Sequence, residues 1–332
     1  MPNPNPGSVH VDQLLTNVSV GFVQDQTKFV GTKVFPLVPV NKQSGLYPVY
    51  NESDFMRDEV QQRAPGGRPP RLGYRTNNGA KYFCDEYAAE HPIDDQVRAN
   101  ADGPYNPEMD GTKFLTQKMM IKQDRDWVTT FFSTGLWTGT TDGAELVAGT
   151  DFVRFSNAAS TPIETIQKNS RSIEGRTGFL PNKLVVGRQV WFDLRNHPDV
   201  VDRYKYTSAD SITTQMVAKL FELDDIFVCG AIYDSAAETE GAATLDVTSG
   251  LGYIVGDGAL LIYAAPAPSL LMPSAGYTFA WNGLAGSNAG VVMETYREDQ
   301  SVSDILRIRA NWDHKLVSAP CGVFYPDAST NV

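Results

Sequence analysis

The chain has 332 residues, 42% hydrophobic and 20% charged, and its 28 basic and 39 acidic side chains give a formal net charge of -11. That balance places it with folded proteins, away from the disordered class, and a pI near 4.9 argues against nonspecific nucleic-acid binding by the whole molecule. No apolar run approaches the roughly 20 residues of a membrane-spanning helix, and the scattered Cys84, Cys229 and Cys321 offer no CxxC zinc spacing and fit synthesis in a reducing cytoplasm.

In chain order, Met1-Pro-Asn-Pro-Asn-Pro-Gly7 lacks the basic region and apolar core of a signal peptide, and is expected to be held by another copy. Residues 9–43 carry short apolar clusters (18–23, 29–30, 34–40) broken by Pro36 and Pro39. They read as an extended arm with one short helix near 11–17. The stretch 44–87 reads as two extended arms, 45–50 and 74–83, around Arg63-Ala-Pro-Gly-Gly-Arg-Pro-Pro-Arg71, which is too rich in Pro and Gly for a helix or central strand. Arg63, Arg68, Arg71 and Arg75 stand there with no acid between residues 60 and 80. A stiff, basic projection on an acidic chain is expected to meet another molecule.

Residues 85–110 hold eight acids, Asp85, Glu86, Glu90, Asp94 and Asp95 among them, against the single base Arg98. This segment is either a solvated connector or a surface that receives the arginine-rich tip of another copy. From 111 to 137 the pattern is helical: Phe114, Ile121, Val128 and Phe132 recur at helical spacing, with Leu115, Met120, Trp127 and Phe131 beside them. Pro107 and Asp110 supply start signals and Gly135 a stop. Some 25 residues make a rod of roughly 37 Å.

After a Gly- and Thr-rich loop at 138–150, Thr161, Pro162 and Glu164 form the signature of a capping box opening a helix. Ile163, Ile166 and Ile173 make its apolar face and Gly175 or Gly178 its end. An α/β pattern follows: strand 183–186, helix 188–195 stopped by Pro198, helix 211–221, strand 226–229 and, after a loop at 236–252, a buried strand at 259–265. Segments 291–297 and 305–312 read as paired strands. In the second, Leu306, Ile308, Ala310 and Trp312 alternate with the wet-face Arg307, Arg309 and Asn311, and 315–318 suggests a further strand. The fold class is α+β.

The catalytic scan is thin. There is no phosphate-loop, GxGxxG, HExxH or GxSxG motif. His91 with Asp94 and Asp95, His197 beside Pro198, and Asp224 with Asp225 read as structural. No catalytic, cofactor-binding or metal set is expected.

The order of parts resembles the major capsid proteins of tailed bacteriophages with the Hong Kong 97-like fold. Phe35-Pro-Leu-Val-Pro39 before Gly45-Leu-Tyr47 is similar to that family's arm entering its extended loop. Gly178-Phe-Leu-Pro-Asn182 with Leu184-Val-Val-Gly187 is similar to the entry into its axial lobe, as is Leu194-Arg-Asn-His-Pro198 leading to Arg203-Tyr-Lys-Tyr-Thr207. Pro268-Ser-Leu and Gly276-Tyr-Thr-Phe279 extend the likeness over nearly the whole chain.

The resemblance implies an N-terminal arm (1–43), an extended β-hairpin loop (44–87), a peripheral domain (88–178 and 286–332) with a spine helix at 111–137, and an axial α/β domain (179–285). It implies pentamers and hexamers of the chain forming an icosahedral head shell around double-stranded DNA, which is enclosed without sequence-specific contact. Arg63, Arg68, Arg71 and Arg75 would meet acids such as Asp85, Glu86, Glu90, Asp94 and Asp95 on the adjacent copy. A separate scaffolding protein, a portal and a decoration protein would be the other partners, with assembly in the host cytoplasm and the virion as destination. Residues 43–80 contain no lysine, so the isopeptide weld of some family members is not expected unless Lys42 or Lys81 serves. The rival readings are an encapsulin-type shell around a cargo enzyme, and a two-domain enzyme with 179–285 as its catalytic half.

Overall fold

The computed structural model describes residues 24–50, 52–101, 106–137, 144–205, 212–235, 250–268, 272–283 and 290–330. The helix expected near 11–17 and the opening segment lie outside them. The arm enters as one helical turn, α1 (Gly31–Val34), then β1 (Leu37–Val40). β2 (Ser44–Tyr50), a short α2 (Glu52–Met56) and β3 (Thr76–Phe83) follow. β2 and β3 pair antiparallel as the expected ribbon, Ser44 opposite Phe83 and Tyr50 opposite Thr76.

The acidic segment is not a connector. It forms the ten-residue strand β4 (Asp85–Asp94) and the short α3 (Asp95–Ala99). The cause is a period of two within the acids: Tyr87, Ala89, His91 and Ile93 turn inward while Glu86, Glu90 and Asp94 stay wet.

The long helix α4 (Pro107–Phe131) starts and ends a turn or more before the expected 111–137. The Asn106 side chain accepts from the Glu108 and Met109 amides at 3.1 and 3.2 Å, and Pro107 sits in the first turn, where no N–H partner is needed. Its buried stripe is Leu115, Met119, Asp124, Trp127 and Phe131. That line lies beside the expected one, because Phe114 is exposed and Ile121 and Val128 are only half-buried.

Next come β5 (Ala144–Glu145) and α5 (Pro162–Thr177). Thr161 makes no side-chain cap, so the expected capping box does not close, and Gly178 at φ 76° ends the helix. β6 (Lys183–Gly187), α6 (Arg188–Asn196), α7 (Pro198–Tyr204), α8 (Thr214–Leu220) and β7 (Asp225–Cys229) keep the expected order. Pro198 does more than stop a helix: it opens α7, whose Asp199 amide donates to His197 Nδ1 at 3.2 Å. The hairpin β8 (Ile232–Asp234) and β9 (Leu251–Tyr253) precedes β10 (Ala259–Ile262) and β11 (Gly276–Trp281). The chain closes with β12 (Val291–Glu298), β13 (Ser303–Leu316) and β14 (Gly322–Tyr325).

Two five-stranded sheets organise these parts. One runs β1-β11-β13-β12 with β4 also on β13; the other runs β5-β14-β10-β6-β7. β13 carries the expected alternation except at Asn311, which is buried; it pairs opposite Glu86 of β4, and its backbone N–H donates to Gly290 O at 2.9 Å. The strand expected at 315–318 is the tail of β13. Sheet membership also cuts across the boundaries expected at 178 and 285. β11 belongs to the β13 sheet, whereas α5 and β14 pack with Leu184, Val186, Trp191 and Leu194 in the α/β core.

Helix α4 joins the two sheets. Its first half packs Leu115 and Met119 against Ile93, Leu306, Ile308 and Trp312. Its second half packs Trp127 and Phe131 with Phe35, Trp137, Leu260, Ile262 and Phe324. No described helix is long and apolar enough to cross a membrane.

One close approach makes a test of the α/β core. A Cβ on Gly187, at the β6–α6 junction, would overlap the Gly256 carbonyl oxygen. Gly187→Ala is therefore expected to destabilise the chain by about 1–3 kcal/mol, the usual cost of overpacking, read as a lowered midpoint in thermal or urea unfolding.

Candidate functional site

The loop's root is fastened to the β13 sheet. Cys84 N donates to Gln43 O at 2.9 Å, Gln43 Nε2 returns a bond to Cys84 O at 3.1 Å, and Phe83 N donates to Asp313 at 2.8 Å. Tyr82 stacks on Phe279 with ring centroids 4.7 Å apart, and Tyr47 lies at 5.4 Å from the same ring. Gly45 lets the ring lie close: a Cβ there would stand 2.7 Å from the Tyr82 hydroxyl and would push that ring aside. Cys84 is fully buried, and burial pushes its thiol up to about 12, so this cysteine is a small core residue.

Further out, one carboxylate clamps the two sides of the loop. Asp54 accepts from the Arg75 amide at 3.0 Å and from its guanidinium Nε and Nη2 at 3.0 and 2.9 Å. These bonds hold the Asp54 carboxyl down at about 2. Tyr50, Phe55 and Tyr74 cluster beside it with centroids 5.6–5.8 Å apart. Asp54→Ala should free the loop without moving the melting temperature of the body, and trypsin should then cut after Arg63 and Arg71 several times faster than in the parent chain, Pro69 protecting the bond after Arg68. Unchanged cleavage would refute the clamp.

Beyond the clamp, residues 60–77 are exposed throughout. The tip is a turn in which Gly67 N donates to Ala64 O at 3.0 Å, with Pro65 at its second position and Gly66 at φ 79°, the geometry that Pro-Gly favours. Arg63, Arg68 and Arg71 make no ion pair among the described residues. Arg75, expected among the outward-reaching arginines, is instead spent on Asp54.

The acids expected to receive such arginines are mostly occupied at home. Glu86 bonds Arg309 and Glu90 bonds Arg307, each at 2.6 Å, across the β4–β13 pairing. Asp95 holds Arg297 through two bonds of 2.6 Å, and Asp94 caps α3 by accepting from Gln96 N at 2.7 Å. Glu294 bonds Arg309 from the other side, so the outer face of the sheet is a neutralised ladder of alternating charge. Of the five acids, Asp85 alone makes neither an ion pair nor a cap among the described residues.

The arm is fastened at a residue that residue patterns did not single out. Asp124, buried in the stripe of α4, accepts from Val30 N at 3.1 Å and Gly31 N at 2.7 Å. Lys183 of β6 donates to Lys33 O and Val34 O at 3.3 and 2.5 Å, so opposite charges hold the two ends of α1. The Gln24 side chain bonds Ile232 O at 2.7 Å and Ile232 N at 3.0 Å. Burial raises the Asp124 carboxyl to about 6 against the opposing pull of the two amides and of Lys33. The signal available in the sequence was an acid at a stripe position, four residues before Phe131's neighbour Val128 and three before Trp127.

Among the described residues no cluster of His, Cys, Asp and Glu could hold a metal ion. His91 packs beside Phe114, and His197 bonds Ser160 and the Asn157 carbonyl.

Residues 150–295 match the family model described as phage major capsid protein E. The chain is 25% identical over 223 residues to the major capsid protein of Burkholderia phage BcepMu, covering 67% of this chain and 70% of that one. Among solved structures it is similar to a phage-related protein from Bordetella bronchiseptica RB50, with a TM-score of 0.68, 22% identity and coverage of 93% and 94%. It is also similar to the capsid protein of cyanophage P-SCSP1u, with a TM-score of 0.62, 12% identity and coverage of 94% and 91%. The SrpI encapsulin of Synechococcus elongatus PCC 7942 shares the fold at a TM-score of 0.56 and 10% identity.

Proposed function

We propose that this chain, a major capsid protein with the Hong Kong 97-like fold of tailed phages, assembles with copies of itself into the icosahedral shell of a phage head. Its place is the virion capsid, and its work is structural; the family model and the relative are capsid proteins, not enzymes. The observation that carries the assembly reading is the loop beyond the Asp54–Arg75 clamp. It is stiffened by prolines, closed at its base, exposed along residues 60–77 and tipped with three arginines that have no ion pair among the described residues.

Copies would ring into pentamers and hexamers through the α/β part, each loop overlying its neighbour. Arg63, Arg68 and Arg71 would seek acids of the adjacent copy, Asp85 foremost. The shell would enclose double-stranded DNA by volume and not by sequence-specific contact, which suits a chain of net charge -11. A scaffolding protein, a portal and a decoration protein complete the set of partners, with assembly in the host cytoplasm; three buried free cysteines agree with that compartment.

Electron microscopy of the purified protein tests the class, with closed shells or capsomer rings expected and a uniform monomer the overturning result. The shared fold keeps an encapsulin shell as the second reading. Absorbance of purified native particles at 260 and 280 nm separates them: a nucleic-acid spectrum supports the phage head, and a protein spectrum with a co-purifying enzyme supports the compartment.

A further inference from the structure

At the ribbon's root opens a largely apolar cavity of about 560 Å³, walled by Tyr47 and Tyr50 of β2, Phe55 and Met56 of α2, Phe179 and Tyr277. Met56 reaches across toward the end of α5, its methyl 4.0 Å from where a Gly178 Cβ would stand. The loop's own base is therefore one wall of the cavity. Apolar walls of this kind, left open, cost hydrophobic stabilisation that a partner can recover.

The same chain carries an unmatched apolar feature of opposite shape. Val60, 80% exposed, is the most exposed large hydrophobic side chain among the described residues, and Leu72 is 57% exposed. They flank the arginine-bearing tip, outside the clamp, and their exposure shows that neither enters the chain's own cavity. A plug and a socket on one chain that do not meet each other call for a head-to-tail contact between copies, the kind that closes a ring when its rotation closes.

Charge agrees with that match. Asp85 pairs opposite Trp312, the residue before Asp313; burial, with a smaller push from Asp85, raises the Asp313 carboxyl, and burial, with a smaller push from Asp313, raises the phenol of the socket residue Tyr47. Asp313 is engaged by the Phe83 amide and Lys315, which leaves Asp85 to face the guanidinium groups that travel with the plug.

We propose that the cavity at the ribbon root receives Val60 and Leu72 from the loop tip of a second copy, with Asp85 meeting an arginine of that tip. The proposal rests on the shell reading and names the seat of the loop on its neighbour. It makes the loop both lock and key: each clamp presents the plug of its own copy and shapes the socket for the next.

The test is cross-linking in assembled particles. Met272 lines the socket and is 40% exposed, so Val60→Cys and Met272→Cys are both tolerable positions, and the three native cysteines are buried. A short bismaleimide added to particles of the double variant should yield a ladder of covalent multimers on a denaturing gel, while either single variant stays monomeric. Particles assembled from a mixture of the two single variants should give dimers, proving contact between copies. A double variant that forms particles yet stays monomeric, or closes only within one chain, overturns this inference and leaves the shell reading intact. Failure of the parent chain to form particles at all overturns both. As a second arm, Val60→Ser with Leu72→Ser should lower the assembled fraction at least tenfold, while the equally surface-placed Val291→Ser does not; equal assembly of the two would also overturn the proposal.

Discussion

Arg68→Glu combined with Arg71→Glu is expected to leave a folded monomer that no longer closes shells. Both arginines lie on the exposed tip beyond the Asp54–Arg75 clamp, with no ion pair among the described residues. Reversing them should change the stability of the isolated chain by no more than about 0.5 kcal/mol, as for surface positions generally. In a shell the effect is different in kind. A single exposed ion pair contributes only about 0–1 kcal/mol, but the contact recurs at every loop, and each reversal turns an attraction into a repulsion against an already acidic neighbour. Sedimentation and negative-stain microscopy should show the double variant as monomers or small oligomers under conditions where the parent chain forms particles. Arg68→Lys with Arg71→Lys keeps the charge and should retain assembly. Normal particles from the glutamate variant would remove the tip from the contact.

Asp124→Ala is expected to have the largest effect on the chain itself. Among the described residues the carboxylate is the only partner of the Val30 and Gly31 amides, and both residues are buried against α4. Two buried donors without acceptors cost about 1–3 kcal/mol each, or about 2–6 kcal/mol together. The arm should detach before the body melts, so amide exchange at Val30 and Gly31 should accelerate ahead of global unfolding.

The cost should also depend on pH. Burial raises the Asp124 carboxyl from 3.8 to about 6, so the folded chain holds this proton more tightly than the unfolded one. The contribution is complete below pH 3.8 and is lost as the pH rises through about 6, a change on the order of 3 kcal/mol. The difference in stability between the parent and Asp124→Ala should therefore be greatest near pH 4 and shrink toward pH 7. A difference that is flat across that range would mean the carboxyl titrates normally.

Local chemistry announced most of the architecture. The Pro- and Gly-rich run from Arg63 to Arg71 could neither coil nor pair, so a projection was legible without any partner in view. The apolar spacing around Trp127 and Phe131 announced α4, and the α/β order from 183 to 229 appeared nearly strand for strand. What failed did so for tertiary reasons. Phe114 and Leu115 are adjacent and equally apolar, and only the position of β13 decides that Leu115 is buried and Phe114 exposed. The capping box at Thr161 is sound as a pattern, yet the path of the chain into α5 leaves its hydroxyl without the amide.

The acids of β4 and α3 show the division most clearly. Read along the chain, Glu86, Glu90 and Asp95 are a negative run in search of a cation. Folded, they meet Arg309, Arg307 and Arg297, more than 200 positions away. Charge acts through space and falls off with distance, so a run of acids is acidic only if nothing opposite neutralises it. The sequence by itself therefore determined that there is a stiff basic loop, a long helix and an α/β unit, because these follow from backbone freedom and periodicity within a few residues. Only the tertiary structure decided which charges remain unspent. It spent Arg75 on Asp54, Glu86 and Glu90 on β13 and Asp95 on β12, and left Arg63, Arg68, Arg71 and Asp85 without an ion pair among the described residues, since pairing depends on which strands lie side by side.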